Sequence, residues 1–217
     1  MIQPVSTQTL QRLPLYLRYL KSLPRDGKIN ISAKAIADAL DLGEIQVRKD
    51  LAAVSSGGRP KIGYITEKLT EDIQCFLGYD NINDAVLVGA GKLGRALLAY
   101  EGFREYGLNI IAAFDTNEGI IGDCGNGKSV FPLGKLKDLC ARMKIHIGII
   151  TVPADSAQSV CDLLIEAGIL AIWNFAPVHL KAPEHIIVRN ENMAVSLALL
   201  SSSWPKGSAT DKPTAEK

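Results

Sequence analysis

The run GAGKLG, residues 89–94, contains three glycines and separates an apolar segment (85–88) from a helical pattern. A second apolar segment, residues 110–114, follows that helix and ends on Asp115. The first glycine permits a tight turn, the second lets a pyrophosphate approach the backbone, and the third lets the helix pack on the strand. This order of strand, turn, helix and strand is typical of a dinucleotide site at a helix N-terminus.

Asp115 indicates whether the site prefers NAD(H) or a dinucleotide with a 2′-phosphate. A carboxylate at the end of the second strand accepts hydrogen bonds from the adenosine ribose hydroxyls and repels a 2′-phosphate, so the predicted cofactor is NAD(H). Coenzyme A or a purely structural turn are alternatives for the glycines alone. We expect the turn to contribute Gly89, Ala90, Gly91, Lys92, Leu93 and Gly94 to the site, together with Asp115.

Strand and helix patterns continue to alternate after Asp115, which predicts an α/β fold with a Rossmann-type doubly wound parallel sheet. The predicted strands cover residues 129–131, 146–151, 169–173 and 186–188, and the predicted helices cover 133–142 and 154–167. Two motifs, TVP and NFAP, stand where strands end, which is where such sheets bind ligands. Their expected cofactor contacts are Thr151, Val152, Pro153, Asn174 and Phe175.

The front of the chain has a different pattern and a basic charge. Residues 1–66 carry ten basic and five acidic side chains, although the whole chain has a net charge of only +1. The predicted order is a helix (6–23) that Pro14 starts or kinks, a strand (28–31), a helix (33–40) capped by Ser32, a turn, and a helix (44–54). Residues 55–66 are then predicted to form a wing.

This order predicts an N-terminal winged helix-turn-helix domain that binds DNA through its third helix and its wing. In the third helix we expect Ile45, Val47 or Leu51 to be buried. Cations neutralise phosphates, and Gln or Arg makes paired hydrogen bonds to base edges. A small protein-interaction domain with a solvated charged face is the alternative. The expected DNA contacts are Ser32, Gln46, Arg48, Lys49, Arg59 and Lys61.

The last pattern is a helix at residues 192–203 whose apolar side chains nearly surround it, which indicates burial on more than one side. Insertion into a partner subunit and docking on its own domain both satisfy that pattern. The tail, residues 205–217, is polar, contains Pro and Gly, and is expected to be disordered.

The composition limits the other classes of function. Hydrophobic residues make up 47% of the 217 and charged residues 22%, and no apolar run reaches the roughly 20 residues of a membrane helix. No secretory h-region precedes the first helix, so a cytoplasmic protein without a membrane span is expected. The four cysteines are scattered and none pairs with a nearby histidine, so no metal site is expected.

With both halves in view, the sequence resembles the redox-sensing transcriptional repressor family called Rex. The resemblance covers nearly the whole chain to residue 204 and rests on several motifs in order: RLP and YLR in the first helix, QVRKDL in the third, GY at the wing, the glycine turn with FD, then TVP and NFAP. It divides the chain into a DNA-binding domain (1–80), an NAD(H)-binding domain (81–190), a swapped helix (191–204) and the tail.

The resemblance implies a homodimer that binds double-stranded operator DNA in the NAD⁺ or apo state and releases it when NADH binds. It also implies that Arg18, Tyr100 and Asn192 couple the two domains. Residues 52–61 depart from the usual wing sequence, and Asn192 stands where relatives commonly have Asp. Asn192 can hydrogen-bond Arg18 but cannot form an ion pair, which leaves Glu191 as the alternative.

The competing interpretation of the cofactor site is a small NAD-dependent dehydrogenase. Hydride transfer to a carbonyl usually needs a general acid near the nicotinamide. His146 begins a strand at the far end from the crevice, so His179, just after NFAP, is the histidine nearest the expected crevice. A lone structural or surface histidine is the simpler account of it, and we expect a sensor rather than an enzyme.

Overall fold

The computed structural model describes residues 5–24, 30–125 and 127–203, and the chain divides into two compact units. The first unit comprises Met1–Ile82 together with Gly102–Leu108. The second comprises Asn83–Glu101 and Asn109–Lys217. The sequence gives no sign that residues 102–108, which lie between two elements of the second unit in sequence, pack with the first.

The first unit is a winged helix-turn-helix. Its elements are α1 (Thr7–Ser22), β1 (Asn30–Ile31), α2 (Ala33–Leu40), α3 (Glu44–Val54), β2 (Tyr64–Ile65) and α4 (Thr66–Leu77). β1 pairs antiparallel with β2. Apolar side chains from all four helices form the core, among them Leu13, Leu17, Ile36, Val47, Leu51, Leu69 and Ile73.

Side-chain caps mark the starts of α1 and α2. Ser6 accepts a hydrogen bond from the Thr9 N–H (3.1 Å), and this cap starts α1 at Thr7. The alternative that the helix begins at Pro14 is therefore wrong, since Pro14 lies inside it. The predicted bounds of α2 and α3 are confirmed. Of the three candidates for burial in α3, Val47 and Leu51 are buried, whereas Ile45 is 71% exposed because it lies off their i,i+4 stripe.

The second unit is built on a seven-stranded sheet of order β5-β6-β4-β3-β7-β8-β9. The strands are β3 (Asn83–Val88), β4 (Leu108–Asp115), β5 (Gly122–Asp123), β6 (Ser129–Pro132), β7 (Ile147–Ile150), β8 (Ala171–Asn174) and β9 (Ile187–Asn190). The helices between them are α5 (Lys92–Ala99), α6 (Leu136–Met143) and α7 (Ala154–Glu166).

The strand order is that of a Rossmann fold, as predicted. β6 pairs parallel with β4, and β7 pairs parallel with β3 and β8, while the short β5 is antiparallel. From β3 the chain moves outward through β4 and β6, then returns to the other side of β3 at β7. The order in which the chain adds strands thus reverses between β3 and β7. Folds of this kind bind ligands at that point, beyond the carboxyl ends of the strands.

Helix α8 (Met193–Ser203) follows β9 and is exposed along its whole length. Its apolar side chains are among the most exposed in the described part of the chain, with Met193, Leu197 and Leu200 at 63%, 64% and 69%. Docking on its own domain is therefore not what the structure shows. The expected disordered tail, residues 205–217, lies outside the described residues.

Candidate cofactor site and nucleic-acid interface

The glycine turn follows β3 and opens α5, and each glycine occupies a position that a side chain would disturb differently. Gly89 has φ +103°, and a Cβ there would lie 2.8 Å from the carbonyl carbon of Thr151 and from Val152 Cγ1. A Cβ on Gly94 would collide with the Gly89 carbonyl oxygen. Nothing lies within 4 Å of the Cβ position of Gly91. This open space beside the free N–H groups of α5 suits a pyrophosphate.

Thr151 holds the glycine turn from the neighbouring strand end. Its Oγ1 lies 2.7 Å from the Gly89 carbonyl and 3.1 Å from the Val88 carbonyl, and its N–H donates to the latter (2.9 Å). The hydroxyl hydrogen is thus used within the protein. Thr151, predicted to contact the cofactor, acts in this structure as a positioning residue for the turn.

Asp115 ends β4 beside the turn. Its Oδ2 accepts from the Ala90 N–H (2.7 Å) and its Oδ1 from the Asn117 N–H (2.9 Å). A carboxylate has about four lone-pair directions, so both oxygens retain acceptor capacity for ribose hydroxyls. The bond to Ala90 means that this side chain also fixes the conformation of the turn.

A cavity of about 500 Å³, which the sequence-based predictions do not include, lies next to Asp115. Ile121, Pro132 and Leu133 supply its apolar lining, with Thr116 and Glu118 at the polar side. An apolar slot beside a ribose-binding acid suits a flat purine ring. The signal available in the sequence was the apolar pair Pro132 and Leu133 at the end of β6.

Lys92 and Leu93 begin α5 and are exposed, with Leu93 at 39%. They therefore flank the open space over Gly91 rather than fill the core. Arg95, one turn further on, donates from Nε to the Ala90 carbonyl (3.1 Å). The turn is thus held by Asp115 at its N–H and by Arg95 at its carbonyl.

The ends of β7 and β8 supply apolar groups. Val152 and Phe175 are half-buried, Ala176 is buried and Pro153 is exposed. The Phe175 ring lies 4.8 Å from that of Trp173, which limits its rotation. These side chains form the wall that the sequence places at the strand ends.

Asn174, predicted to contact the cofactor, has a completely buried side chain. Its Nδ2 donates to the carbonyls of Ala176 (3.2 Å) and Val178 (3.0 Å), and its Oδ1 accepts from the Ala176 N–H (2.9 Å). The amide is fully used in shaping the NFAP loop. Asn174 thus positions Phe175 and Ala176.

In the first unit, α3 and the wing present the expected polar face. Gln46, Arg48 and Lys49 are exposed on α3, and Arg48 forms an ion pair with Glu44 one turn earlier. Ser32 uses its oxygen to cap α2 by accepting from the Ala35 N–H (3.0 Å), but remains exposed.

Arg59 and Lys61 flank the tip of the wing. The Arg59 N–H and carbonyl exchange hydrogen bonds with Gly63, both 2.9 Å, and Lys61 has φ +64°. Both cations are exposed. The tight closure of this turn projects them from the body of the unit.

A buried charge network, absent from the sequence-based predictions, links α1 to the inner face of α3. Asp50 is only 5% exposed and accepts from Arg12 Nε (2.7 Å) and Nη2 (3.0 Å), from Tyr16 Oη (2.8 Å) and from Thr9 Oγ1 (2.9 Å). The signal in the sequence was a lone acid between apolar positions of α3 and a polar stripe on α1.

The network shifts the ionisation of its members. Burial works against the charged form of Asp50, but the hydrogen bonds from Arg12, Tyr16 and Thr9 outweigh it and hold the pKa below its usual value. Burial, and secondly the hydrogen bond to Asp50, raises the pKa of Tyr16 to about 12. The pKa of Arg12 is raised chiefly by its hydrogen bond to Asp50.

The three expected coupling residues occupy separate elements. Arg18 is exposed on α1, and Tyr100, at the end of α5, is 54% exposed. Asn192 caps α8, since its Oδ1 accepts from the Val195 N–H (3.1 Å). Glu191, the alternative partner for Arg18, accepts from Trp173 Nε1 (2.8 Å).

The histidines, the metal-ligating residue types and the apolar helices of the described residues bear on the alternatives of an enzyme, a metal site and a membrane span. His179 is exposed, with Nδ1 3.4 Å from Asn190 Nδ2, and His146 contacts the Gly168 carbonyl (3.3 Å). Within the described ranges no three His, Cys, Asp or Glu side chains converge as a metal site would require. None of the described helices is long and apolar enough to cross a bilayer.

Comparison with known proteins matches both units. A family model described as a putative DNA-binding protein N-terminus matches residues 4–52, and one described as a CoA binding domain matches residues 80–178. A redox-sensing transcriptional repressor Rex from Porphyromonas gingivalis is 42% identical over 196 residues, 90% of each chain. The Rex of Syntrophomonas wolfei is 41% identical over 89% of this chain and 92% of its own.

Solved structures agree with these relatives. RSP, a Rex-family repressor, matches in its complex with NAD⁺ and operator DNA with a TM-score of 0.85 and 35% identity, over 92% of each chain. Its complex with NADH matches with a TM-score of 0.79, over 91% of this chain and 92% of that one. These relatives are repressors, not enzymes, and the chain accordingly belongs to the redox-sensing transcriptional repressor Rex family.

Proposed function

We propose that this chain represses transcription by holding operator DNA in the NAD⁺ or apo state and releasing it when NADH binds. The observation that carries the proposal is the presence, in one chain, of an exposed cationic α3 and wing and of a glycine turn closed by Asp115. The relatives' solved complexes with NAD⁺, operator DNA and NADH support the same assignment.

The cofactor fits the residues present. The Gly91 space and the α5 N-terminus would hold the pyrophosphate, Asp115 the adenosine ribose, and the cavity lined by Ile121 and Leu133 the adenine. When bound, NAD(H) supplies a nicotinamide ring that is cationic when oxidised and neutral when reduced. Lys92 and Leu93, at the mouth of the turn, complete the proposed contacts.

Discrimination between the two oxidation states follows from the walls at the strand ends. Val152, Pro153, Phe175 and Ala176 offer no charge to the ring, and Asn174 keeps its amide inside the loop. An apolar, water-poor wall penalises a cation and not a neutral ring. Because a ligand shifts an equilibrium only through differential affinity, this wall favours NADH as the signal.

DNA recognition is proposed for Ser32, Gln46, Arg48, Lys49, Arg59 and Lys61, all of them exposed.

Homodimer formation is part of the proposal and assigns a role to α8, whose apolar surface is exposed on a single chain. A second copy of α8 or of its docking surface would bury that face. Arg18, Tyr100 and Asn192 remain the proposed coupling residues, and cytoplasmic action, where the operator lies, belongs to the same proposal.

A mobility-shift assay with a Rex operator duplex, across NADH to NAD⁺ ratios, tests the function directly. Release should follow NADH, and equal release by both forms at matched saturation would contradict the sensor. Calorimetric titration with NADH, NAD⁺ and coenzyme A separates the cofactor from the coenzyme A alternative. Steady NADH consumption with carbonyl substrates would restore the dehydrogenase alternative.

A further inference from the structure

Ile45 is an exposed isoleucine in the first turn of α3. Its side chain is 71% exposed, and its neighbours along the helix, Glu44 and Gln46, are polar. The core of the unit takes Val47 and Leu51 from this helix, and not Ile45. Ile45 therefore does nothing for the fold that a polar residue would not do as well.

The position of Ile45 places it on the outermost row of α3. This row follows the i, i+4, i+7 spacing of one helix face and consists of the exposed residues Ile45, Lys49 and Ala52. Each residue advances about 100° around a helix, so the outermost row lies opposite the buried side, which consists of Val47, Asp50 and Leu51. A helix that enters the major groove turns its outermost row towards the base edges.

The surroundings of Ile45 fit DNA better than a second copy of the same surface. Ile45 lines an open groove of about 570 Å³ together with Gln46 and Lys49. Apart from the buried Asp50, the helix carries Arg48 and Lys49 against one acid, Glu44. Cations around an apolar contact attract a polyanion, whereas two copies of this face would bring like charges together. The partner of Ile45 is therefore DNA.

We infer that Ile45 contacts the methyl group of a thymine in the major groove of the operator and thereby selects thymine. This inference rests on the proposed function, which places α3 against base pairs. The C5 methyl group of thymine is the apolar group that base edges present there. Every other base would place polar groups against Ile45, and those groups would lose water without gaining a hydrogen bond. Ile45 thus supplies a base preference that its polar neighbours cannot supply.

Removal of single methyl groups from the operator tests the inference, with full-length protein at one fixed salt concentration. The operator is the site that the wild type selects from a randomised duplex pool. Each thymine is replaced in turn by deoxyuridine in both half-sites, which removes the methyl group and keeps every hydrogen-bonding atom. At the position that Ile45 contacts, wild-type binding should weaken by about threefold or more for each methyl group lost, the scale of one buried methylene.

Variants of Ile45 identify that position. Ile45→Ala ends the side chain at Cβ, so its affinities for the thymine and deoxyuridine duplexes should lie within about 1.5-fold of each other there, a non-additive result. Ile45→Val keeps a branched apolar end and should retain most of the difference. Ile187→Ala is the matched control, because it makes the same change at an isoleucine of β9 that is 61% exposed, and it should give the wild-type profile.

A second pair of duplexes repeats the test without thymine. Cytosine and its C5-methylated form, each opposite guanine at the identified position, differ only in the methyl group. The wild type should prefer the methylated base by about threefold, and Ile45→Ala should bind both equally. Thermal unfolding and NADH titration of each variant check the fold, which an exposed position should leave intact.

The outcomes separate this inference from the proposed function. A wild type that selects no sequence would overturn DNA recognition and the inference with it. A wild type that binds a defined operator and releases it with NADH, but loses the same affinity as Ile45→Ala at every deoxyuridine, would overturn the role of Ile45 alone. Insensitivity of both proteins to deoxyuridine would also remove Ile45 from base recognition and leave the repressor function standing.

Discussion

The Cβ direction of Gly94 points at the Gly89 carbonyl oxygen, whereas that of Gly91, three residues earlier, meets nothing within 4 Å. Gly94 is therefore required by the fold of the empty protein. A Cβ at Gly91 would contact nothing in the protein itself, so the missing side chain matters only for a ligand that binds at the turn.

Alanine at these two glycines should consequently give opposite results. Gly94→Ala forces the turn away from α5 and should destabilise the protein by about 1 to 3 kcal/mol, an overpacking cost. Gly91→Ala should unfold at the wild-type temperature, since φ is −68°, but lose NADH affinity by about tenfold or more. Thermal unfolding and NADH titration measure both, and wild-type affinity in Gly91→Ala would place the pyrophosphate elsewhere.

The contrast shows how much of this site the sequence predicts. Spacing between Gly89 and Asp115 indicates the turn, the helix and the acid, because those features depend on residues close along the chain. The internal hydrogen bonds of Thr151 and Asn174 have no such local signal, since their partners come from another strand end or from a folded-back loop. Only the three-dimensional structure shows that their polar atoms are already used.

In the first unit, too, features that depend on nearby residues are predicted, whereas contacts between residues far apart in sequence are not. Periodicity predicts the bounds of α2 and α3, and the Ser32 cap marks the start of α2. The link from Arg12 to Asp50 spans 38 positions along the chain and leaves no periodic signal. Residues 102–108 likewise pack with the first unit through contacts such as the edge-on pair of Tyr79 and Tyr106, 5.5 Å apart.

Asp115 should control cofactor choice through its charge and the turn through its hydrogen bond. Asp115→Asn keeps an acceptor for the Ala90 N–H but removes the charge, so NADPH should gain on NADH. Asp115→Ala removes both and should weaken NADH while also relaxing the discrimination against NADPH, with operator binding in NAD⁺ largely kept. Paired titrations with NADH and NADPH test this, and unchanged discrimination in Asp115→Asn would remove the charge from the explanation.

Arg48 should contribute to operator affinity according to what it touches. Arg48→Ala should weaken binding by about 1 to 3 kcal/mol if it contacts a base, or flatten the salt dependence if it contacts a phosphate. Lys137→Ala is the charge-matched control, since Lys137 pairs with Glu166 in the second unit. Mobility shifts over a salt series give both values, and equal behaviour of the two variants would take Arg48 out of the interface.

Glu44 offers a test in the opposite direction. It holds Arg48 in an ion pair on the exposed face of α3. Glu44→Gln releases the guanidinium and removes a negative charge near the DNA, so operator binding should tighten. The same salt series measures it, and weaker binding would indicate that Glu44 orients Arg48 productively.

The apolar face of α8 should hold two chains together. Leu197→Glu combined with Leu200→Glu puts two charges on that face and should convert a dimer into a monomer of about 23 kDa, the mass of one chain being 23.4 kDa. Ser201→Glu with Ser202→Glu adds the same charge on the same helix as a control. Sedimentation velocity reads the state directly, and a dimer that survives the leucine changes would place the interface elsewhere.

The Asp50 network should make stability depend on pH at both ends of the range. Since the folded pKa of Asp50 is lowered, its ionised form stabilises the fold above about pH 4, the unfolded value, and that contribution is lost as the pH falls through the folded pKa. Asp50→Asn should therefore be less stable than the wild type at pH 7, by about 3 kcal/mol as for a broken buried pair, and the difference should shrink below pH 4.

Tyr16 should act at the alkaline end with the opposite sign. Its pKa rises from 10.0 to about 12 on folding, so the neutral phenol stabilises the fold fully below pH 10, and this contribution is lost as the pH rises from 10 towards 12. Tyr16→Phe has no phenol to ionise at this site and should lose less stability over the same interval. Urea unfolding of both proteins from pH 8 to 12 checks this. Parallel curves would mean that Tyr16 ionises equally in the folded and unfolded chains, which its hydrogen bond to a buried carboxylate argues against.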